Sequence, residues 1–172
     1  MKNKIISLLL AVMAITSLSV KAQTEGEGDG YTYKQFDNTC VVSVNNHEEV
    51  ASVLERACND LNITGGDIIG LGAVSSATLR CFNPATKEYV DKTFNEQMEI
   101  ANLTGNVGVL NGEIYLHLHI TLGKTDYTAL AGHLLRATLN GAGEFVINKY
   151  SGEVPRYHND QIGLNMYRFC MD

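Results

Sequence analysis

The chain has 172 residues, of which 45% are hydrophobic and 19% are charged, and its formal net charge is −6 at pH 7. This balance excludes an intrinsically disordered chain, which would combine few apolar residues with a high net charge. An acidic protein repels phosphate backbones unless it gathers its basic residues on one face. The lysines and arginines are dispersed along this chain, so its charge gives no support to nucleic-acid binding.

The first 22 residues have the pattern of a secretory signal peptide. A positive start at Lys2 and Lys4 leads into an apolar core over residues 5–20. Ala22 then offers a small residue before cleavage at Gln23. An uncleaved anchor is the alternative, but a spanning helix needs about 20 apolar residues and this core is shorter. We therefore predict an exported protein, periplasmic or secreted, with no membrane span after cleavage.

Two segments follow the cleavage position. Residues 23–30 (QTEGEGDG) are acidic, glycine-rich and without a hydrophobic pattern, so we expect a disordered lead-in. Residues 31–172 have a length that suits a single domain with one core, and they contain no internal repeat or interdomain linker.

The clearest helical pattern covers residues 46–61. Asn46 suits an N-cap, and Glu49 follows three residues later in a variant of the capping box. Apolar residues then recur on one face at helical spacing: Val50, Val53, Leu54, Ala57, Cys58 and Leu61. A helix with such a face is expected to cover a sheet.

Most of the remaining chain has the alternating pattern of strands. The predicted strands lie within residues 31–44, 67–82, 88–94, 98–103, 105–110, 113–122, 144–150 and 162–169. Asn83–Thr86 and Asn111-Gly112 predict hairpin turns. Residues 127–139 are ambiguous, because their apolar spacing fits a helix that Gly132 weakens. One or two helices beside about eight strands predict an α+β domain with a mainly antiparallel sheet.

The segment 70–75 (GLGAVS) superficially resembles a dinucleotide-binding fingerprint. It lacks the third glycine, and a strand pattern follows where a helix should begin. We therefore reject a nucleotide site and interpret the glycines as a bulge or a close backbone crossing.

Three of the five histidines lie between positions 117 and 133. His117 and His119 are two residues apart on a predicted strand, so they share one face, while Leu116 and Leu118 face the core. One metal ion can bind both imidazoles, and His133 from a neighbouring element can complete the site. Three histidines with one open position are typical of a catalytic or ligand-exchanging zinc site. Histidines that merely decorate an exposed face are the alternative.

The chain has four cysteines, Cys40, Cys58, Cys81 and Cys170. Export would allow disulfides, and four cysteines permit three pairings. Each cysteine lies in an apolar pattern, so buried free thiols are equally compatible with the sequence.

From residue 69 to residue 150 the chain resembles the plant-and-prokaryote conserved (PPC) domain, which follows AT-hooks in plant proteins. The motifs that carry the resemblance are Gly70–Ser75, Phe94–Glu96, Glu99-Ile100, Leu103–Asn106, Asn111-Gly112, His117–His119 and Gly132–Leu134. The resemblance implies a compact α+β domain, a homotrimer, and a metal site formed by His117, His119 and His133. Zinc is the default metal for ligands that are all imidazoles.

The first functional hypothesis is an exported homotrimer whose three histidines hold a metal in a binding or sensing role. The second is a metal-dependent enzyme, a lyase or hydrolase acting on a small carbonyl substrate, because acetolactate decarboxylase has a similar H-x-H pattern. DNA binding, which the family label suggests, is the third, although export, acidity and the lack of an AT-hook oppose it. A purely structural trimer without metal is the fourth.

An enzyme would also need an acid or a base near the metal. Glu96, Glu99 and Glu113 are the candidates for that role, and Arg80 is the candidate for binding an anionic substrate. Asn106 could orient a ligand or form part of a turn. Exposed strand residues are the simpler interpretation of the three glutamates.

Overall fold

The computed structural model describes residues 23–170. The predicted signal peptide, residues 1–22, lies outside them. The elements of the described part are β1 (Thr24–Gly28), β2 (Tyr31–Phe36), β3 (Thr39–Val44), α1 (Val50–Asp60), β4 (Gly66–Asn83), β5 (Glu88–Phe94), β6 (Met98–Leu110), β7 (Glu113–Gly123), β8 (Ala129–Lys149), β9 (Pro155–Asn159) and β10 (Leu164–Tyr167).

The architecture is the predicted α+β fold with a mainly antiparallel sheet. Strand β4 pairs with β6 and β8, and β7 pairs with the same two strands, so these four strands close into a ring. Strands β3, β2 and β1 extend the sheet from β8, while β5 pairs with β4. The one parallel pairing within residues 23–170 joins β6 to β9.

The core combines the inner face of this ring with one side of α1. Leu103, Leu118 and Ile120 are buried on β6 and β7, and α1 packs on β7 and β8. The helix buries the apolar face that the sequence predicts: Val50, Val53, Leu54, Ala57 and Cys58. Burial of each valine or leucine side chain in this set stabilises the fold by roughly 1.5–3 kcal/mol.

The helix begins later than the sequence predicts. Glu49 is the N-cap, since its carboxylate accepts hydrogen bonds from the backbone N–H groups of Ala51 and Ser52. The same carboxylate accepts one from the N–H of Ala137 on β8. The prediction of Asn46 as the cap was therefore wrong. A carboxylate that serves both the helix start and a neighbouring strand is the better partner.

Residues 24–28 form strand β1, where the sequence predicts a disordered lead-in. All five pair with β2 in an antiparallel register, and Lys34 forms a salt bridge with Glu25 at 3.3 Å. The acidic, glycine-rich composition gives no hydrophobic pattern from which this strand could be predicted. The strand forms because its pairing with β2 satisfies backbone hydrogen-bonding groups, which does not depend on the side chains.

Residues 129–149 form strand β8, which resolves the ambiguity in favour of a strand. Its first part pairs with β7 and with the far half of β4, so both of its edges are hydrogen-bonded. The helix-like apolar spacing is overridden by these pairings, because sheet context outweighs a weak local preference.

Two local predictions are confirmed. Asn111 and Gly112 have φ angles of 54° and 88° and form the tight turn between β6 and β7. The register shifts between Gly70 and Gly72, which makes that segment a bulge. For the four cysteines the sequence leaves disulfides and buried free thiols open. All four are free thiols, of which Cys40 and Cys58 are buried while Cys81 and Cys170 are exposed.

None of the helices within residues 23–170 is long and apolar enough to cross a membrane.

Candidate metal centre

The three predicted histidines come together on the outer face of the ring. His117 and His119 alternate along β7 with the buried Leu118, so both point away from the core. His133 lies on β8 directly opposite His119 in the antiparallel register. His117 and His119 share a face because they are two residues apart on one strand. The pairing of β7 with β8 brings the third imidazole, that of His133, beside them.

The three rings are close enough to share one ligand. Their centroids are 5.2 Å apart for His117 and His119, 5.0 Å for His117 and His133, and 5.4 Å for His119 and His133. One nitrogen of each ring lies within 4.8 Å of the other two. Nitrogens around a tetrahedral zinc stand about 3.4 Å apart, a difference that small side-chain rotations can close. The donor set therefore fits a divalent metal ion.

The surroundings of His117 and His133 favour the neutral forms of these two rings. Burial lowers the pKa of His133 to about 4, and the neighbouring rings of His117 and His119 add to the effect. Burial and the charges of His119 and Arg156 lower the pKa of His117. A neutral imidazole has a free lone pair, so these shifts prepare the rings to bind a metal near neutral pH.

Strands β4 and β5 form one side of the site. Arg80 on β4 is the direct partner of His133 on β8 and of Asp91 on β5. Its guanidinium donates two hydrogen bonds to the Asp91 carboxylate, at 3.0 Å each, and lies over the ring of Tyr89 at 4.6 Å. The Tyr89 ring contacts His133 with centroids 5.8 Å apart. Asp91 thus holds Arg80 in place beside the histidines.

A second arginine approaches from the opposite side. Arg156 on β9 is 7% exposed, and its Nη2 donates a hydrogen bond of 2.6 Å to Oδ1 of Asn106. Asn106 is the direct strand partner of His117. The guanidinium lies between the rings of Tyr115 and Tyr167, at 5.0 and 4.3 Å from their centroids. Its positive charge is one cause of the low pKa of His117.

A cleft of about 590 Å³ opens beside the histidines. Its remaining wall is mostly apolar, with Leu79, Phe82, Val90, Phe94 and Leu130 among the lining residues. Small-molecule sites typically have volumes of about 300–1,000 Å³ and a few polar groups in an apolar wall. The cleft therefore has the size and character of a ligand site.

The glutamates proposed as acids or bases lie elsewhere. Glu96 forms a salt bridge with Lys124 at 3.2 Å, and neither Glu96, Glu99 nor Glu113 lines the cleft. Arg80 lines it as predicted. Asn106 lies within β6 and binds Arg156, so it is not a turn residue.

Sequence reasoning missed several residues around the histidines. The positions of Asp91 and Tyr89 beside the site could have been predicted from the β4–β5 hairpin. Counting residue pairs back from its turn puts Asp91 opposite Arg80. Arg156 carries no such signal, since β9 joins β6 through a long-range parallel pairing. The other two histidines, His47 and His158, lie outside the cluster.

Comparison with known proteins finds a matching family model and several similar solved structures. A family model described as the Plants and Prokaryotes Conserved (PCC) domain matches residues 31–151. A candidate DNA-binding protein from Bacteroides thetaiotaomicron is 54% identical, with a TM-score of 0.80, and the match covers 81% of this chain and 98% of that chain. None of the curated proteins matches.

Two archaeal structures are also similar. The metal-containing protein from Archaeoglobus fulgidus is 27% identical, with a TM-score of 0.72 over 78% of this chain and 96% of that chain. The plant- and prokaryote-conserved (PPC) protein from Pyrococcus horikoshii is 22% identical, with a TM-score of 0.71 over 88% and 97%. Acetolactate decarboxylase from Bacillus subtilis is distant, at 15% identity and a TM-score of 0.46.

The matched region spans residues 31–151 and includes β7, β8 and all three clustered histidines. It also includes the Asn111-Gly112 turn and the bulge at Gly70–Gly72, on which the sequence resemblance rests. The chain belongs to the Plants and Prokaryotes Conserved domain family.

Proposed function

We propose that this chain is a metal-binding member of its family, in which His117, His119 and His133 hold one divalent ion, with zinc as the first candidate. The observation that carries the proposal is the convergence of three imidazoles whose nitrogens lie within 4.8 Å of one another. Further support comes from the relative of Archaeoglobus fulgidus, which is described as metal-containing.

The bound ion would have a position open to a ligand. Three protein nitrogens leave one coordination position of a tetrahedral zinc free, and all three histidines line the cleft. This arrangement suits reversible binding or sensing of a small molecule. An enzymatic role would need an acid or base at the cleft, and the carboxylate of Asp91, the strand partner of Arg80, is already bound to Arg80.

The test is metal content per chain, measured by elemental mass spectrometry on protein incubated with zinc and then desalted. The unmodified protein should retain about one zinc per chain. The double variant His117→Ala/His119→Ala should retain none while its circular dichroism spectrum is unchanged, because both side chains point away from the core. His158→Ala is the matched control, since His158 is outside the cluster. Stoichiometric zinc in the double variant would refute the assignment.

We also propose that the protein is exported and forms a homotrimer. Export is supported by the signal-peptide pattern of residues 1–22, and the trimer by the family resemblance. The sheet has an exposed apolar surface that could form the subunit contact. Val41, Ile69 and Leu71 are 40%, 49% and 55% exposed there, although such residues are normally buried. Cell fractionation, with sequencing of the mature N-terminus, tests the first part of this proposal.

DNA binding is the second candidate function, because the relative that is 54% identical carries that description. The net charge of −6 opposes it, since affinity for DNA depends on neutralising phosphates. Fluorescence anisotropy of a labelled duplex near physiological salt distinguishes the two functions. Submicromolar, salt-dependent binding would favour DNA, whereas no change in anisotropy would favour the metal-binding role.

A further inference from the structure

The charges that line the cleft contrast with those of the whole chain. The chain has 19 acidic residues against 13 lysines and arginines. Among residues 23–170, no aspartate or glutamate lines the cleft, whereas Arg80 and Lys92 do. A cleft whose charged lining is entirely basic, on an acidic protein, favours an anionic ligand.

The basic groups around the histidines are incompletely neutralised. Asp91 neutralises Arg80, but no ion pair within the described residues involves Lys92 or Arg156. Lys92 lies 5.0 Å from the centroid of the Phe94 ring, and Arg156 is bound to neutral oxygens of Asn106 and Asn165. A metal held by three neutral imidazoles would add two further positive charges.

The wall on the side of the histidines and Arg80 is aromatic. Phe82 pairs with Tyr89 across β4 and β5, their ring centroids are 5.1 Å apart, and both residues line the cleft. An ion such as phosphate or acetate would leave this wall in water. A ligand with an apolar body would cover it, and the cleft of about 590 Å³ has room for an aromatic ring.

We propose that the cleft binds a small monocarboxylate with an apolar, ring-sized body. The carboxylate lies toward the histidines and Arg80, and the ring lies against Phe82 and Tyr89. The inference rests on the proposed metal site for the position of the carboxylate. The preference for an anion with an apolar body rests on the side chains alone.

Isothermal titration calorimetry with three probes on the zinc-incubated protein tests the proposal. Phenylacetate has both features, acetate lacks the ring, and phenylacetamide lacks the charge. Phenylacetate should bind at least about tenfold more tightly than either of the others, given the usual contribution of a buried ring and of a charge-assisted contact. Equal binding of phenylacetate and acetate, or of phenylacetate and phenylacetamide, would overturn the proposal.

A variant locates the ring. Phe82→Asp puts a carboxylate into the aromatic wall and should weaken phenylacetate binding about tenfold while leaving acetate binding much less affected. Tyr127→Asp is the matched control, because Tyr127 is 96% exposed and does not line the cleft. Unchanged phenylacetate binding in Phe82→Asp would contradict the assigned position.

The metal site and the ligand preference can fail separately. Absence of zinc in the elemental analysis refutes the proposed function. The same three probes on metal-free protein still report whether the cleft prefers an anion with a ring. Zinc binding without any preference among the probes refutes the ligand assignment and leaves the metal site standing.

Discussion

His119 and His133 face each other as direct partners across β7 and β8, with their ring centroids 5.4 Å apart. The same row continues from His133 to Arg80 on β4 and from Arg80 to Asp91 on β5. Four neighbouring strands thus present one line of functional side chains on the outer face of the ring. A shift of one residue in any of these registers would send a side chain to the opposite face.

Removing the third ligand should leave the two others unable to hold a metal firmly. We expect His133→Ala to weaken zinc affinity by at least about a hundredfold. Loss of a residue that only hydrogen-bonds to a metal ligand already weakens metal affinity by up to about a hundredfold. Competition with a chromophoric chelator measures the change. Zinc affinity within a factor of about two of the unmodified protein would exclude His133 as a ligand.

The stability of the metal-free protein should depend on pH through His133. Its pKa is lowered from 6.5 to about 4, so the unfolded chain binds more protons than the folded one between these values. The free energy of unfolding therefore falls as pH falls through this window and is fully retained above it. We expect a loss of about 1–2 kcal/mol, after allowing for solvent screening of a partly exposed ring.

Urea unfolding of the metal-free protein, at neutral pH and at about pH 4, measures this loss. His133→Ala should lose less stability over the same interval, because the group that resists protonation is gone. An identical loss in both proteins would assign the pH dependence to other residues.

Gly105 should be required for the backbone beneath His117. A Cβ atom on Gly105 would clash with the carbonyl oxygen of His117 and would lie 2.7 Å from Cδ2 of Leu118. Gly105→Ala should therefore push β7 outward, destabilise the fold by about 1–3 kcal/mol and weaken zinc binding. Gly152→Ala is the control, because no atom lies within 4 Å of its added Cβ. Equal stability of the two variants would show that β6 and β7 can separate freely.

The exposed apolar surface around Leu71 should control assembly. Leu71→Asp would bury a charge at the proposed contact, so we expect the mass in solution to fall from that of three chains to that of one. Light scattering coupled to size exclusion measures it. Tyr127→Asp again serves as the control, since Tyr127 is exposed in the turn after β7. A Leu71→Asp variant of unchanged mass would place the subunit contact elsewhere.

Local patterns were enough to place part of the site. The alternation along β7 puts His117 and His119 on one face, and the Asn111-Gly112 turn sets the start of that strand, because both depend on residues close in sequence. The buried face of α1 follows from helical spacing in the same way. Its start does not, because the Glu49 carboxylate is also bound by the distant N–H of Ala137.

The rest depended on which strands pair. His133 joins the site because β8 runs beside β7, and its apolar spacing alone is equally compatible with a helix. Arg156 reaches Asn106 through the parallel pairing of β9 with β6, for which no local sequence signal exists. The sequence alone thus determined the type of ligand and the face of one strand. The tertiary structure decided that the third histidine lies beside the other two, and it decided the charges around them and the cleft, because these depend on contacts between residues far apart in the chain.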